Sequence, residues 1–226
     1  MKFLFDYYRS SIGKKWIVAL TGLVLIAYVL GHLAGNLQIF ISPEQINWYG
    51  ARLHSLGPIL WAIRAFLLAC FLLHIATTIK LAAENRAARP ERYAVKKDIR
   101  TTRSALTMVL SGLFLLAFVV IHLLQFTIRP AGLVQSYSLP NGENDVYTMV
   151  VRGFSNPLAS GFYIVGMYFL FTHLSHGFSS FLQTLGLNTS KTFHFIKTGG
   201  IVLAWLVFAG YIAIPVSVMF GLLKAK

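Results

Sequence analysis

Five long apolar runs dictate what this chain can fold into. They are Trp16–Ile41, Leu56–Ile79, Ala105–Ile128, Leu158–Leu182 and Gly199–Leu223. Each reaches the ~20 residues an α-helix needs to cross the hydrocarbon layer of a bilayer. No water is available there for backbone N–H and C=O groups, so such a segment must close its hydrogen bonds internally, as a helix. Only 12% of the residues are charged, about half the share of a soluble domain, so the apolar surface is matched to lipid. The expectation is an all-α integral membrane protein, a single unit over residues 1–226, with five transmembrane helices of which the first four form a bundle. Lys14 and Lys15 ahead of the first run mimic a signal peptide. That run is too long for a signal core and has no small-residue cleavage site, so it reads as a retained span. The first thirteen residues, with Phe3, Phe5, Tyr7 and Tyr8, read as a short interfacial segment.

The net charge is +13. The basic residues lie between apolar runs, an arrangement that argues against a nucleic-acid partner and fits the positive-inside rule. Fourteen of the twenty Lys and Arg residues fall in Met1–Lys15, Lys80–Arg103 and Gln183–Thr198. Those segments are expected on the cytoplasmic side, with the N-terminus inside and the C-terminus outside. Lys80–Arg103 reads as a basic hydrophilic loop. Arg129–Pro157, with Pro130, Pro140, Asn141-Gly142 and Asp145, reads as turns on the outer side.

An internal repeat relates the first and third spans. Thr21-Gly22-Leu23-Val24-Leu25-Ile26-Ala27-Tyr28-Val29-Leu30-Gly31-His32-Leu33 aligns with Ser111-Gly112-Leu113-Phe114-Leu115-Leu116-Ala117-Phe118-Val119-Val120-Ile121-His122-Leu123, identical at seven of thirteen positions. Spans one–two and three–four therefore read as related helix pairs, with span five added.

Seven histidines are present, and His32, His74, His122 and His173 fall one in each of the first four spans. A polar side chain inside a membrane is costly and marks a functional site. A lone imidazole can simply bond to a neighbouring carbonyl; four, one per helix, point to ligation. The single cysteine, Cys70, cannot build a disulfide framework, a zinc site or an iron–sulfur site. Depth selects the pairs. At about 1.5 Å per residue, His32 and His122 lie roughly 26 and 28 Å from the inner ends of their spans, whereas His74 and His173 lie about 9 and 15 Å from theirs. His32 thus pairs with His122 near the outer face, and His74 with His173 in the inner half. Two bis-histidine pairs at two depths in a four-helix bundle suit two b-type haems, which pass electrons and do not bind oxygen. Gly22 and Gly112 each precede a histidine by ten residues, about 15 Å inward, and leave room near the inner haem; Gly166 is the counterpart for the outer one. Propionates need cations or hydrogen-bond donors. Arg64, Arg52 and Arg152 are the outer candidates, and Lys80, Gln183 and His176 the inner ones. For Arg64, snorkelling to the outer interface is an equal alternative.

The chain resembles the single-chain dihaem cytochrome b subunits of succinate dehydrogenase and fumarate reductase. The resemblance covers nearly its whole length. It rests on Ser11-Ile12-Gly13-Lys14-Lys15, Thr21-Gly22, Gly31-His32-Leu33-Ala34-Gly35-Asn36-Leu37 and Asn85-Arg86-Ala87-Ala88-Arg89-Pro90. To these it adds Ser111-Gly112 with His122-Leu123, and His173-Leu174-Ser175-His176-Gly177-Phe178-Ser179-Ser180-Phe181-Leu182-Gln183-Thr184-Leu185-Gly186. It implies His32, His74, His122 and His173 as the haem ligands, with His173 preferred to His176 in the fourth span. It also implies a flavoprotein with covalent FAD and an iron–sulfur protein docked on the cytoplasmic face, in a bacterial cytoplasmic membrane, with room for a higher oligomer of the complex. Two positions depart from the family pattern. Phe171 stands where some members carry a glutamate linked to proton transfer, and Arg64 stands where relatives often carry an acid; no glutamate proton route is expected.

The resulting expectation is a membrane anchor carrying electrons through two haem b groups to a membrane quinone, with menaquinone the expected type. A quinone site needs donors beside a haem and an apolar channel. Asn36, Gln38, Trp48, Tyr49, Arg52 and His54 offer these at the outer face, with an interfacial aromatic belt as the alternative role of Trp48 and Tyr49. A second site near His176 and Lys191 at the inner face stays open. The competing readings are a cytochrome b subunit of a formate dehydrogenase or hydrogenase, and a haem-free transporter relaying protons through its histidines.

Overall fold

A computed structural model describes residues 8–88, 103–130 and 135–225. Helix α1 (Ser11–Asn36) runs on into a 3-10 turn, Leu37–Phe40. Next come α2 (Pro43–His54), α3 (Pro58–Ala87), a single turn at Arg103–Leu106, and α4 (Met108–Leu123), which ends in a π-helical turn, Leu124–Ile128. Helices α5 (Val146–Phe154), α6 (Pro157–Thr184) and α7 (Phe193–Met219) complete the chain. Five segments are long and apolar enough to cross a membrane: Ser11–Phe40, Pro58–Ala87, Met108–Ile128, Pro157–Thr184 and Phe193–Met219.

Local chemistry sets the ends of these helices. Ser10, Ser42, Asp145 and Asn156 cap α1, α2, α5 and α6 by accepting a hydrogen bond from a first-turn N–H. Pro43, Pro58 and Pro157 occupy first-turn positions, where the missing N–H is no loss. Gly57, at φ +52° and ψ −120°, takes a positive-φ conformation open chiefly to glycine where the chain passes from α2 into α3.

Three sequence expectations need correction. Lys80–Arg103 is not all loop, because α3 continues to Ala87. Leu81, Ala82, Ala83, Glu84 and Arg86 are strong helix formers, and Glu84 is tied to α1; residues 89–102 lie outside the described segments. Arg129–Pro157 is not only turns. Asn141-Gly142 does form one, closed by Gly142 N–H to Leu139 O at 2.9 Å, but Asp145 starts helix α5, which buries Val151 and Phe154. The interfacial reading of the first thirteen residues is shortened, because Ser11–Gly13 already belong to α1; Phe3, Phe5 and Tyr7 lie outside the described segments.

Helix α6 packs along α7 and against α4 and α1, while α1 packs along α3. The main core gathers at one end, where Ile39, Ile46, Phe118, Val151, Phe154, Tyr163, Met167, Ile214 and Val218 are buried together. Helices α2 and α5 close that end. Asn47 of α2 donates to Asp145 Oδ1 at 3.1 Å and accepts from Tyr147 N–H at 2.9 Å. Burial acts to raise the Asp145 pKa, but hydrogen bonds from Thr148 and Asn47 outweigh it and hold the carboxyl below its ordinary value. Helix α3 buries only Cys70 and Thr77, and Ile59, Trp61, Phe66, Leu68 and Leu72 are each more than half exposed, as a lipid-facing helix requires.

At the opposite end Lys14 is 2% exposed, and its ammonium donates to Glu84 Oε1 at 2.7 Å and to Arg9 O at 3.1 Å. This ion pair staples α1 to α3. Glu84→Gln is expected to lower stability by about 2 kcal/mol, because it leaves a buried ammonium uncompensated while the acid's own partial exposure limits the loss. A fall in the detergent-solubilised unfolding temperature checks it. Asp145 carries a second prediction. Its folded pKa is depressed, so its contribution is present above the unfolded carboxylate pKa and is lost as pH falls through the folded value. Acidification should therefore speed hydrogen exchange at Thr148, with much less effect at the first turn of α6, which Asn156 caps.

Candidate functional site

Four histidines on four helices meet in two pairs. The rings of His32 (α1) and His122 (α4) have centroids 5.9 Å apart with planes at 79°. Those of His74 (α3) and His173 (α6) are 6.5 Å apart with planes at 62°. These are the combinations that the depth arithmetic gives. An imidazole nitrogen bonds a metal at about 2.0 Å, so two rings on opposite sides of one metal have centroids about 6 Å apart. Among the described residues no group of three or more His, Cys, Asp or Glu forms a metal cluster. Two axial nitrogens suit a metal that brings its own equatorial ligands, as a porphyrin iron does.

The hydrogen-bond partners of the ring nitrogens differ between the pairs. At His74, Nδ1 lies 3.1 Å from Thr21 Oγ1, and that hydroxyl donates to Ile17 O at 2.6 Å. At His173, Nδ1 lies 3.1 Å from Ser111 Oγ, which donates to Met108 O at 3.1 Å. A ring that binds a metal through Nε2 carries its proton on Nδ1, and a hydroxyl whose own proton goes to a carbonyl is placed to accept it. In the other pair, His122 Nδ1 lies 3.2 Å from the Tyr163 hydroxyl. His32 Nε2 lies 3.3 Å from the Asn36 amide, so ligation through that nitrogen requires the amide to give way.

Gly22 and Gly112 adjoin the His74–His173 pair. A Cβ at Gly22 would meet His74 Cε1 at 3.3 Å, and one at Gly112 would meet His173 Cε1 at 3.6 Å. Their missing side chains thus give room to the imidazoles themselves. Gly166 is filled differently, because the Phe118 ring lies within 2.6 Å of where its Cβ would stand, and Phe118 stacks on His122 at 6.0 Å and 10°.

The remaining candidates scatter. Arg64 packs over the Trp61 ring at 5.0 Å. It lines a cavity of about 130 Å³ with His54, Phe126, Thr127, Arg129, Asn144, Val146 and Met149. Phe126 lies 5.8 Å from the His122 ring, so the cavity adjoins that pair. Arg52, Trp48, Arg152, Gln183 and Lys191 are exposed. Tyr49 packs its phenol onto the glycine face of α1 at Gly35. Gln45 donates to Gln38 at 2.8 Å. Lys80 stacks on the Tyr8 ring at 5.0 Å. His176 is partly exposed, one turn from His173, and His194 is exposed. Phe171 packs on Trp205 and Phe208 of α7.

Arg129 escaped the sequence reading. It ends the π-helical turn with φ +46°, and its guanidinium donates to Asn144 Oδ1 at 2.9 Å. π-Helical turns concentrate at functional sites, but no residue pattern in Leu124–Ile128 announces one. Thr21, Ser111 and Tyr163 were also missed as histidine partners. The signal for two of them was present, since Thr21 and Ser111 occupy the same position in the repeat.

Comparison of the chain with models of protein families, with curated proteins and with solved structures finds no match in any of the three.

Gly166→Ala drives a methyl group into Phe118 and should cost about 1–3 kcal/mol. Because Phe118 leans on His122, the variant is expected to disturb the His32–His122 pair and spare the His74–His173 pair. Imidazole NMR signals of the purified, histidine-labelled variant check this.

Proposed function

We propose that this chain is the dihaem cytochrome b subunit and membrane anchor of a succinate:quinone oxidoreductase, the class its sequence motifs resemble. The observation that carries the reading is the pair of facing histidines at each of two levels. The end bearing Lys14 is read as cytoplasmic and the end bearing Arg129 as external, on the distribution of Lys and Arg. His74 and His173 then hold the inner haem, and His32 and His122 the outer one.

The residues present fit such groups. Each histidine pair offers two axial nitrogens, and Thr21 and Ser111 orient the inner two. Arg64 and Arg129, which border the cavity beside His122, supply guanidinium forks suited to carboxylates. His32 with His122, and His74 with His173, would hold the two groups, and haem b there would supply one-electron transfer. Phe118, Tyr163 and Phe126 pack around His122, with Phe154 behind Tyr163, an apolar surround that disfavours water beside the outer pair. His54, exposed and bordering the same cavity, is the donor favoured for a membrane quinone. Trp48, Arg52 and Gln38 do not line that cavity. The external face of the bilayer is therefore the proposed side for the quinone, and a flavoprotein with FAD and an iron–sulfur protein are the proposed cytoplasmic partners in a bacterial inner membrane.

Affinity purification of the tagged chain from its native membranes tests the reading. Co-purification of a covalent-flavin polypeptide and an iron–sulfur polypeptide, with succinate-dependent reduction of a naphthoquinone, is expected. Purification with a molybdenum- or nickel-containing partner and formate- or hydrogen-dependent activity contradicts it. Replacing His173 by Ala should remove one haem per chain and leave the His32–His122 centre spectroscopically intact; loss of the His32–His122 haem alone contradicts the pairing.

A further inference from the structure

The repeated segments of α1 and α4 share a hydroxyl, Thr21 and Ser111, that ligation does not use. Each lies eleven residues before the histidine of its own helix, about three turns, and so on the same face. Each bonds not that histidine but the one on the adjoining helix of its pair: Thr21 of α1 meets His74 of α3, and Ser111 of α4 meets His173 of α6, both at 3.1 Å. Thr21 is 7% exposed and Ser111 1%, so neither bond competes with bulk water. The two contacts repeat each other across the bundle.

We propose that Thr21 and Ser111 are positioning residues that fix the protonation and raise the basicity of His74 and His173 as ligands of the inner haem; this rests on the haem reading above. The chemistry follows from proton counting. Each hydroxyl reaches a carbonyl of its own helix, Thr21 at Ile17 O and Val18 O and Ser111 at Met108 O; with its proton there, each oxygen accepts from Nδ1–H. That places the ring proton on Nδ1, leaves Nε2 as the ligating atom, and pushes electron density toward the metal. An electron-rich ligand stabilises ferric over ferrous iron, so the two hydroxyls hold the inner potential down. The outer pair is built differently: only His122 has a hydroxyl at Nδ1, the Tyr163 phenol at 3.2 Å, while His32 has the Asn36 amide at Nε2. The inner pair alone carries a hydroxyl on both rings. An intrahelical role alone, the back-bonding of Ser or Thr to its own helix, accounts for the carbonyl contacts but not for the histidine contacts.

Redox titration of the purified complex tests this, with the two haems followed separately. Thr21→Val and Ser111→Ala are each expected to retain two haems per chain and to weaken the ferric preference of the inner haem about tenfold. For one electron that is an upward shift of about 59 mV, with the outer haem unmoved. Thr21→Ser and Ser111→Thr should restore the wild-type potential. Ser111→Ala only removes an oxygen, so it carries the test even where the Thr21 variant fails to accumulate. Two bound haems with unchanged potentials, or a shift in the outer haem instead, overturn the assignment while leaving the haem reading intact. Wild-type complex without haem overturns both.

Discussion

An imidazole at membrane depth must find a partner for each of its polar nitrogens, and the bundle is arranged around that requirement. Four helices each bring one such ring to a neighbour, at two levels. Thr21, Ser111, Tyr163 and Asn36 each take up one nitrogen. What results is two pairs of adjacent imidazole rings, and the rest of the fold serves to keep them together. Helix α1 supplies a ring at one level and a hydroxyl at the other, and α4 does the same, so neither helix can slide along its axis without disturbing both levels.

The two ends of the bundle are held by different physics. Beside His122 the packing is aromatic. Phe118, Phe126, Phe154 and Tyr163 interlock, and α2 and α5 close the end through Asn47 and Asp145. At the other end an ion pair between buried Lys14 and partly exposed Glu84 ties the first two spans together. An apolar seal suits a centre that exchanges with a lipid-soluble molecule. A charged staple suits a face that meets water and protein.

Much of this was legible in the residues. The spans follow from run length, because the bilayer thickness is a ruler the sequence must match. The histidine pairs follow from the same ruler, because helical rise converts sequence position into depth. The cap residues of α5 and the π-helical turn were not legible. Helix α5 has nine residues and follows Pro140 and Asn141-Gly142, whose turn signals mask its start, and its stability comes from burying Val151 and Phe154 against distant helices. Arg129 needed the three-dimensional path of that turn to reach the cavity with Arg64 and His54. The hydroxyl–histidine contacts cross between helices, and a repeat within one helix cannot say which neighbour its side chains reach.

The central claim is that each facing pair holds one haem b. The haem-to-polypeptide ratio of the purified chain, measured from its pyridine haemochrome together with a reduced-minus-oxidised spectrum, tests that claim most directly. Two b-type haems per chain is the predicted result. A chain that purifies folded from haem-replete cells with no b-type bands contradicts it and leaves the histidines to another task.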